Sequence, residues 1–344
     1  MLLFLYAFAL LACFIFLARI VDLFFITSLD KISKELKLSS DAAGATLMAV
    51  GSSAPELFVT LFAVLKPGNH QGIGIGSIVG SALFNILVIV GVAAMVRKAK
   101  LTWQPVIRDL SFYLLAVILL LWGIWDGEFT FIEASSFLAL YILYVVAVVY
   151  WRKILPYSET DFDKPEEKSN DKKGVIGLFD KVLSFFFPPE RNYYLIFFIS
   201  IIIIAGISWA LVELAVLISD ILNISEAIIA LTVLAIGTSI PDLFSSLIVA
   251  KQGRGDMALS NAIGSNIFDI LVGLGLPFLI YIIAFGNNIG VSTQNLISSS
   301  FILFASVVVL IVMLVVSKWK IGKISGLILL GLYLFYIVRE IVLH

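Results

Sequence analysis

Apolar residues fall in long blocks near residues 2–26, 42–65, 73–96, 107–125, 131–150, 192–218, 227–250, 257–283, 295–316 and 322–342, separated by short polar stretches. A hydrocarbon core roughly 30 Å thick needs about 20 apolar residues in helical conformation. The blocks therefore predict an all-α, polytopic membrane fold of ten transmembrane helices, numbered here as spans one to ten. The longest polar interval, 152–190, crowds Lys, Glu, Asp and Pro between spans five and six. It divides the chain into a first half, 1–151, and a second half, 191–344, with five spans each.

Two spans interrupt their own apolar pattern in the same way. Ser39-Ser-Asp-Ala-Ala-Gly-Ala-Thr-Leu-Met-Ala-Val-Gly-Ser-Ser-Ala-Pro-Glu-Leu-Phe58 aligns without gaps on Ser225-Glu-Ala-Ile-Ile-Ala-Leu-Thr-Val-Leu-Ala-Ile-Gly-Thr-Ser-Ile-Pro-Asp-Leu-Phe244. Further on, Gly80-Ser-Ala-Leu-Phe-Asn-Ile-Leu87 aligns on Gly264-Ser-Asn-Ile-Phe-Asp-Ile-Leu271. The halves are thus related, with repeat cores at 39–96 and 225–283. Five is odd, so the second half enters the membrane from the opposite face. Inverted repeats of this kind mark transporters, with the substrate site near the midplane at the repeat interface.

Composition agrees and adds limits. The 344 residues are 61% hydrophobic and 14% charged, whereas soluble domains lie nearer half and a quarter. A net charge of -1 gives no reason to expect a nucleic-acid partner. Cys13 is the single cysteine, so no intrachain disulfide exists. Leu10-Leu-Ala-Cys13 resembles a lipoprotein cleavage box, but no Lys or Arg precedes it as a signal n-region requires; residues 2–26 read more simply as span one. Lys and Arg gather in the loops after odd-numbered spans, 20 of the 23 in the chain. Positive loops stay in the cytoplasm. Both termini are therefore expected outside the cell membrane and the 152–190 loop inside. Within that loop Val175 to Phe187 is rich in apolar residues, which suits either a segment lying along the membrane surface or a solvated linker.

The interruptions carry the chemistry. Proline lacks an N–H, so Pro55 and Pro241 leave the carbonyls of Gly51 and Gly237 without helical partners. Ser52 and Glu56, Thr238 and Asp242, Ser81 and Asn85, and Ser265 and Asp269 are each four residues apart and share a helix face. Ser53 and Ser239 add hydroxyls at the breaks. The donor set is all oxygen, which suits Ca²⁺ and Na⁺ and not zinc or copper. A carboxylate at the centre of a membrane helix costs about 2.5–3.5 kcal/mol. Spans two, three, seven and eight hold no Lys or Arg to offset three of them, which leaves cations or protons. Blander readings stand beside this one. A membrane proline is often only a kink, Gly72, Gly76 and Gly80 form a small-residue stripe suited to helix packing, and Asp22 and Glu213 lie nearer the membrane edge, which suits a structural or a pathway role equally; Asp22 has Arg19 one turn away.

The stretches Asp41 to Phe58, Gly76 to Leu87, Gly237-Thr-Ser-Ile-Pro-Asp242, Gly255-Asp-Met-Ala258 and Gly264 to Gly273 resemble the cation/calcium exchanger superfamily, most of all its potassium-dependent sodium/calcium exchangers of compact prokaryotic type. The resemblance implies ion sites built by Glu56 and Asp242 at the centre, flanked by Ser52, Ser53, Thr238 and Ser239. Ser81, Asn85, Ser265 and Asp269 join them, with backbone carbonyls near Ala49 and Ala235. It implies transport of Ca²⁺ and Na⁺ with no cofactor. Potassium is associated in that family with Asp at the position of Asp269, although some compact prokaryotic members also carry Asp there. The large regulatory domains of the family have no counterpart in 152–190. The expected activity is Na⁺-driven Ca²⁺ extrusion by alternating access, with spans one and six as moving elements. A calcium/proton exchanger would use the same acids. An intramembrane aspartyl protease, suggested by Gly253-Arg-Gly-Asp256, lacks a Tyr-Asp partner and a Pro-Ala-Leu motif.

Overall fold

The computed structural model describes residues 2–35, 49–155, 183, 187, 192–251, 255–291 and 293–343. Eight of its helices are long and apolar enough to cross a membrane, and they fall on predicted spans one, three to six and eight to ten. Predicted spans two and seven are instead divided into short helices. The described part of span two is Ala49–Ser52 followed by Ala54–Leu65. Span seven runs as Glu226–Ile229, a π-helical turn Ala230–Leu234, Ala235–Thr238 and Ile240–Lys251. The repeat positions 39–48, most of 175–187 and Gly253-Arg254 of the Gly253–Asp256 tetrapeptide lie outside the described residues.

Glycines set how closely the centre packs. The stripe of span three faces span seven: a Cβ on Gly76 would stand 2.8 Å from the carbonyl oxygen of Ala227, and one on Gly72 would touch the Ala227 methyl at 3.4 Å. At Gly80 an added Cβ would overlap the carbonyl oxygen of Leu231. Small residues let two backbones approach without side chains between them, so the stripe is a packing surface. Gly51 and Gly237, at the two helix breaks, are both covered by span one: Leu29 with Phe25 and Ile26 lie over Gly51, and the Phe14 ring lies on Gly237.

Apolar packing forms two clusters. Spans one and six pack on each other and on the inner faces of spans two and seven, around Phe14, Leu17, Val21, Ile204, Leu211 and Leu234. A larger cluster joins spans three, four, five, eight, nine and ten. Phe187, from the segment with two open readings, is buried in the first cluster with its ring stacked on Phe24 at 3.7 Å. At that residue the chain packs into protein.

Short antiparallel ribbons tie the loops. Ala99–Lys100 pairs with Lys320–Ile321, and Glu128–Phe129 pairs with Ile289–Gly290. Each ribbon joins two loops that the charge count assigns to the same face. Glu35 accepts hydrogen bonds from Tyr193 and Tyr194 at 2.6 and 2.9 Å, again linking segments of one predicted face. One element of that count changes: Arg108 is not a loop residue but is fully buried in the helix Trp103–Gly123, with its Nε donating to Asp109 at 2.7 Å. Its removal leaves the asymmetry between faces intact.

Replacing Gly80 by Ala is predicted to cost about 1–3 kcal/mol through overpacking against a backbone carbonyl, and Gly80→Val more. Gly331→Ala, at a site with no atom within 4 Å of the added methyl, should leave stability unchanged or slightly raised. Thermal unfolding of the detergent-purified variants measures both.

Candidate functional site

The breaks fall where proline requires them. Ser53 and Ser239 leave helical geometry, with φ and ψ of -96° and 5° and of -85° and 1°. The helix resumes behind each, with Pro55 and Pro241 in its first turn, where a missing N–H costs nothing. Ala49 and Ala235 carbonyls accept the N–H of Ser53 at 3.0 Å and of Ser239 at 3.3 Å. Each carbonyl oxygen has a second lone pair, which at Ala49 is shared with the Ser52 hydroxyl at 3.4 Å. Spans three and eight contribute a feature the sequence did not announce. Each switches to π-helix at its ligand candidate, over Asn85–Ile89 and Asp269–Leu274. Such turns widen the helix locally and recur at functional sites.

These elements bring all the predicted side chains to one region, every one of them buried. Two hydroxyl pairs lace it together across the halves. Ser81 and Ser239 meet at 2.7 Å, and Ser52 and Ser265 meet at 3.0 Å. Ser52, Asn85 and Ser265 face Asp242, Thr238 faces Glu56, and Ser53 faces Asp269. Each half therefore offers hydroxyls to the acid of the other. The three carboxylates act on one another electrostatically, yet among the described residues no three acidic, His or Cys side chains close on one point as a metal cluster. Neutral oxygens would have to complete any coordination shell.

Hydrogen-bond accounting separates these acids from the others in the interior. Asp109, Glu133 and Glu340 are also buried, and each has donors. Asp109 accepts from Arg108, Tyr144 and Ser260; Glu133 closes a capping box with Thr130; Glu340 accepts from Ser299 and Arg339. By contrast both oxygens of Glu56, both of Asp269, Oδ1 of Asp242, Oδ1 of Asn85 and the Ser53 hydroxyl are buried without a hydrogen-bond partner among the described residues. Buried polar atoms are nearly always paired, and exceptions need an explanation. Six of these seven atoms can only accept. A concentration of unmatched acceptors, with no Lys or Arg in the same spans, is complementary to cations.

Several acidic residues outside this region pair with basic side chains. Arg19 and Asp22 pair at 3.8 Å, and Glu213 pairs with Lys66 at 2.5 Å. His70 meets Glu226 at 2.9 Å. Two contributors were missed. Ser208 of span six donates to the Pro55 carbonyl at 3.4 Å, and Asn266 accepts from Asn85 Nδ2 at 2.9 Å. Asn266 had a signal available: it is polar where the matched position of the first half is Ala82.

A helical membrane protein with two broken spans aiming unpaired acceptors at one buried region belongs to the class of ion-coupled transporters. More narrowly, the chain belongs to the sodium/calcium exchanger family, whose model, described as sodium/calcium exchanger protein, matches residues 6–150 and 192–342. The unmatched gap coincides with the long polar interval. The chain is 27% identical to sodium/potassium/calcium exchanger 4 of Mus musculus, over 95% of this chain and 79% of the relative. It is 28% identical to sodium/potassium/calcium exchanger 2 of Homo sapiens, over 96% and 77%. Among solved structures it resembles the sodium/calcium exchanger from Methanococcus jannaschii, with TM-score 0.61 and 25% identity over 97% and 98% of the two chains. A structure of the exchanger NCX_Mj soaked with Na⁺ and Sr²⁺ gives TM-score 0.61 and 27% identity, over 98% of this chain and 99% of the other.

If the unpaired oxygens hold a cation, the folded protein is stabilised by it. Ca²⁺ at 100 times its dissociation constant should add about 2.7 kcal/mol of stability. The melting temperature of the purified protein should therefore climb with Ca²⁺, and Glu56→Gln should remove most of that climb.

Proposed function

We propose that this chain is a Na⁺/Ca²⁺ antiporter of the cell membrane, extruding Ca²⁺ against Na⁺ entry by alternating access, with K⁺ carried or required at Asp269. One observation carries the reading: the unpartnered acceptors of Glu56, Asp242, Asp269 and Asn85 occupy the broken and π-turned segments of a sodium/calcium exchanger family member. Ser52, Ser53, Ser81, Thr238, Ser239 and Ser265, with the carbonyls of Ala49 and Ala235, supply the neutral oxygens. Hydroxyl and carbonyl ligands suit Na⁺ as well as Ca²⁺. K⁺ enters through Asp269 and through the names of the curated relatives.

The architecture in this proposal is ten spans in two inverted halves, 1–151 and 191–344, with cores 39–96 and 225–283. Support comes from the matched breaks at Ser53 and Ser239 and the matched π-turns at Asn85 and Asp269. Both termini lie outside and the 152–190 loop lies in the cytoplasm. The loop ribbons are consistent with this, because both described pairs join loops of one predicted face.

Coupling follows from charge. Emptying the region would leave carboxylates facing one another in low dielectric, which disfavours reorientation of the unloaded carrier. Spans one and six pack on each other within one apolar cluster, and span one covers both breaks, so this pair is the element assigned the movement.

The deciding experiment is ⁴⁵Ca²⁺ uptake into Na⁺-loaded proteoliposomes, with and without K⁺ and with an imposed pH gradient. Uptake should need the Na⁺ gradient, and Glu56→Gln and Asp242→Asn should each abolish it. Asp269→Asn should remove any K⁺ dependence. Uptake driven by the pH gradient alone would replace this reading with calcium/proton exchange.

A further inference from the structure

An amide is an ambiguous ligand. One end is a carbonyl oxygen that can hold a cation, and the other is an NH₂ that repels it. Carboxylates have no such ambiguity. Beside the three carboxylates assigned to the ions, the Asn85 amide has to be turned the right way.

Four residues from spans three, four, seven and eight fix its orientation. The reference is the backbone carbonyl of Ala82, which can only accept. Asn266 Nδ2 donates to it at 3.1 Å and donates also to the Tyr113 hydroxyl at 3.0 Å. The nitrogen of Asn266 is thereby assigned by the network. Its Oδ1 must face Asn85, and it accepts from Asn85 Nδ2 at 2.9 Å. The same Nδ2 lies 3.5 Å from Asp242 Oδ2. Both neighbours of the Asn85 nitrogen are acceptors, so flipping the amide would set oxygen against oxygen twice. Oδ1 of Asn85 is left buried, without a hydrogen-bond partner among the described residues. Asn266 and Tyr113 are themselves fully buried, so water does not compete for these bonds.

The aligned halves show the same logic by difference. Asn85 matches Asp269, and Asn266 matches Ala82. The half with the amide receives an orienting partner, supplied by the other half. The half with the carboxylate has a methyl at the corresponding place.

Resting on the exchanger reading above, we infer that Asn266 is a positioning residue that holds the Asn85 amide with its oxygen toward the transported cations. Outer partners that orient a ligand typically matter 10–100-fold in metal affinity. Asn266→Ala should therefore weaken Ca²⁺ binding to the purified protein about tenfold or more, with a Ca²⁺-free melting temperature close to wild type. The test is equilibrium ⁴⁵Ca²⁺ binding in two backgrounds. With Asn85→Asp, either side-chain orientation offers oxygen and Asn266 Oδ1 becomes repulsive, so adding Asn266→Ala should cost little or improve binding. Equal losses in both backgrounds, or no loss in the single variant, would overturn the assignment. If Asn85→Asp binds no Ca²⁺, Tyr113→Phe decides. It keeps the Ala82 reference, so it should bind within about threefold of wild type, and a loss matching that of Asn266→Ala would count against orientation. Wild-type protein without Na⁺-driven ⁴⁵Ca²⁺ flux would sink the exchanger reading itself, whereas normal flux with an indifferent Asn266→Ala would sink only the role of Asn266.

Discussion

Three carboxylates sit in an apolar interior with no basic side chain in their own spans, and much of the structure answers to that. Glu56 and Asp242 are 1% exposed and Asp269 is wholly buried, in segments whose remaining residues are mostly aliphatic. Charges so placed are tolerated when something neutralises them. The other buried acids show how a folded chain does this from within, with an arginine, a tyrosine and hydroxyls on Asp109, or an arginine and a serine on Glu340. At Glu56 and Asp269 no donor among the described residues reaches hydrogen-bond geometry. The donors present are hydroxyls that can turn, and a hydroxyl offers a lone pair to a cation as readily as a proton to a carboxylate.

Holding such a region together is a matter of backbone proximity. Spans three and seven approach so closely that Gly76 and Gly80 face carbonyl oxygens of Ala227 and Leu231. That approach brings Ser81 onto Ser239 and Asn85 toward Asp242. The covering layer is built differently. Spans one and six touch this centre through large apolar groups, Phe14 on Gly237 and Leu29 on Gly51, and through a long hydrogen bond from Ser208 to Pro55. Dispersion contacts of that kind are individually weak and non-directional, so one apolar surface can slide over another where a hydrogen-bonded one cannot.

Much of this was readable along the chain, and the reasons are physical. Proline removes a donor wherever it stands, so the breaks at Ser53 and Ser239 could be placed from Pro55 and Pro241 alone. Four-residue spacing gathers side chains on any helix, so the site candidates appeared together. The π-turns at Asn85 and Asp269 had no such marker, since no residue type compels one extra residue in a turn. Nor could spacing show that Ser265 would bond Ser52 rather than Ser53, the residue that matches Ser239, the partner of Ser81. That choice is made by the relative height of two helices, to which one sequence is blind. Arg108 misled for a related reason. A basic residue at a predicted span end reads as loop, and only its buried partner Asp109 shows that it lies inside.

Those departures from symmetry matter more than the symmetry. Two identical halves would offer equal ligands to every ion, and a site that must distinguish a divalent from a monovalent cation needs unequal ones. Here one half carries an amide at the π-turn of its third span and the other a carboxylate, at positions that otherwise correspond. The change removes a charge and adds an orientation to be specified, and Asn266, from the opposite half, is in place to specify it. Ser53 is likewise released from the Ser265 pairing and turned toward Asp269, adding a neutral oxygen beside the extra charge. Each asymmetric residue is thus accompanied by a second one across the interface, as expected where the halves must act on one ion shell between them.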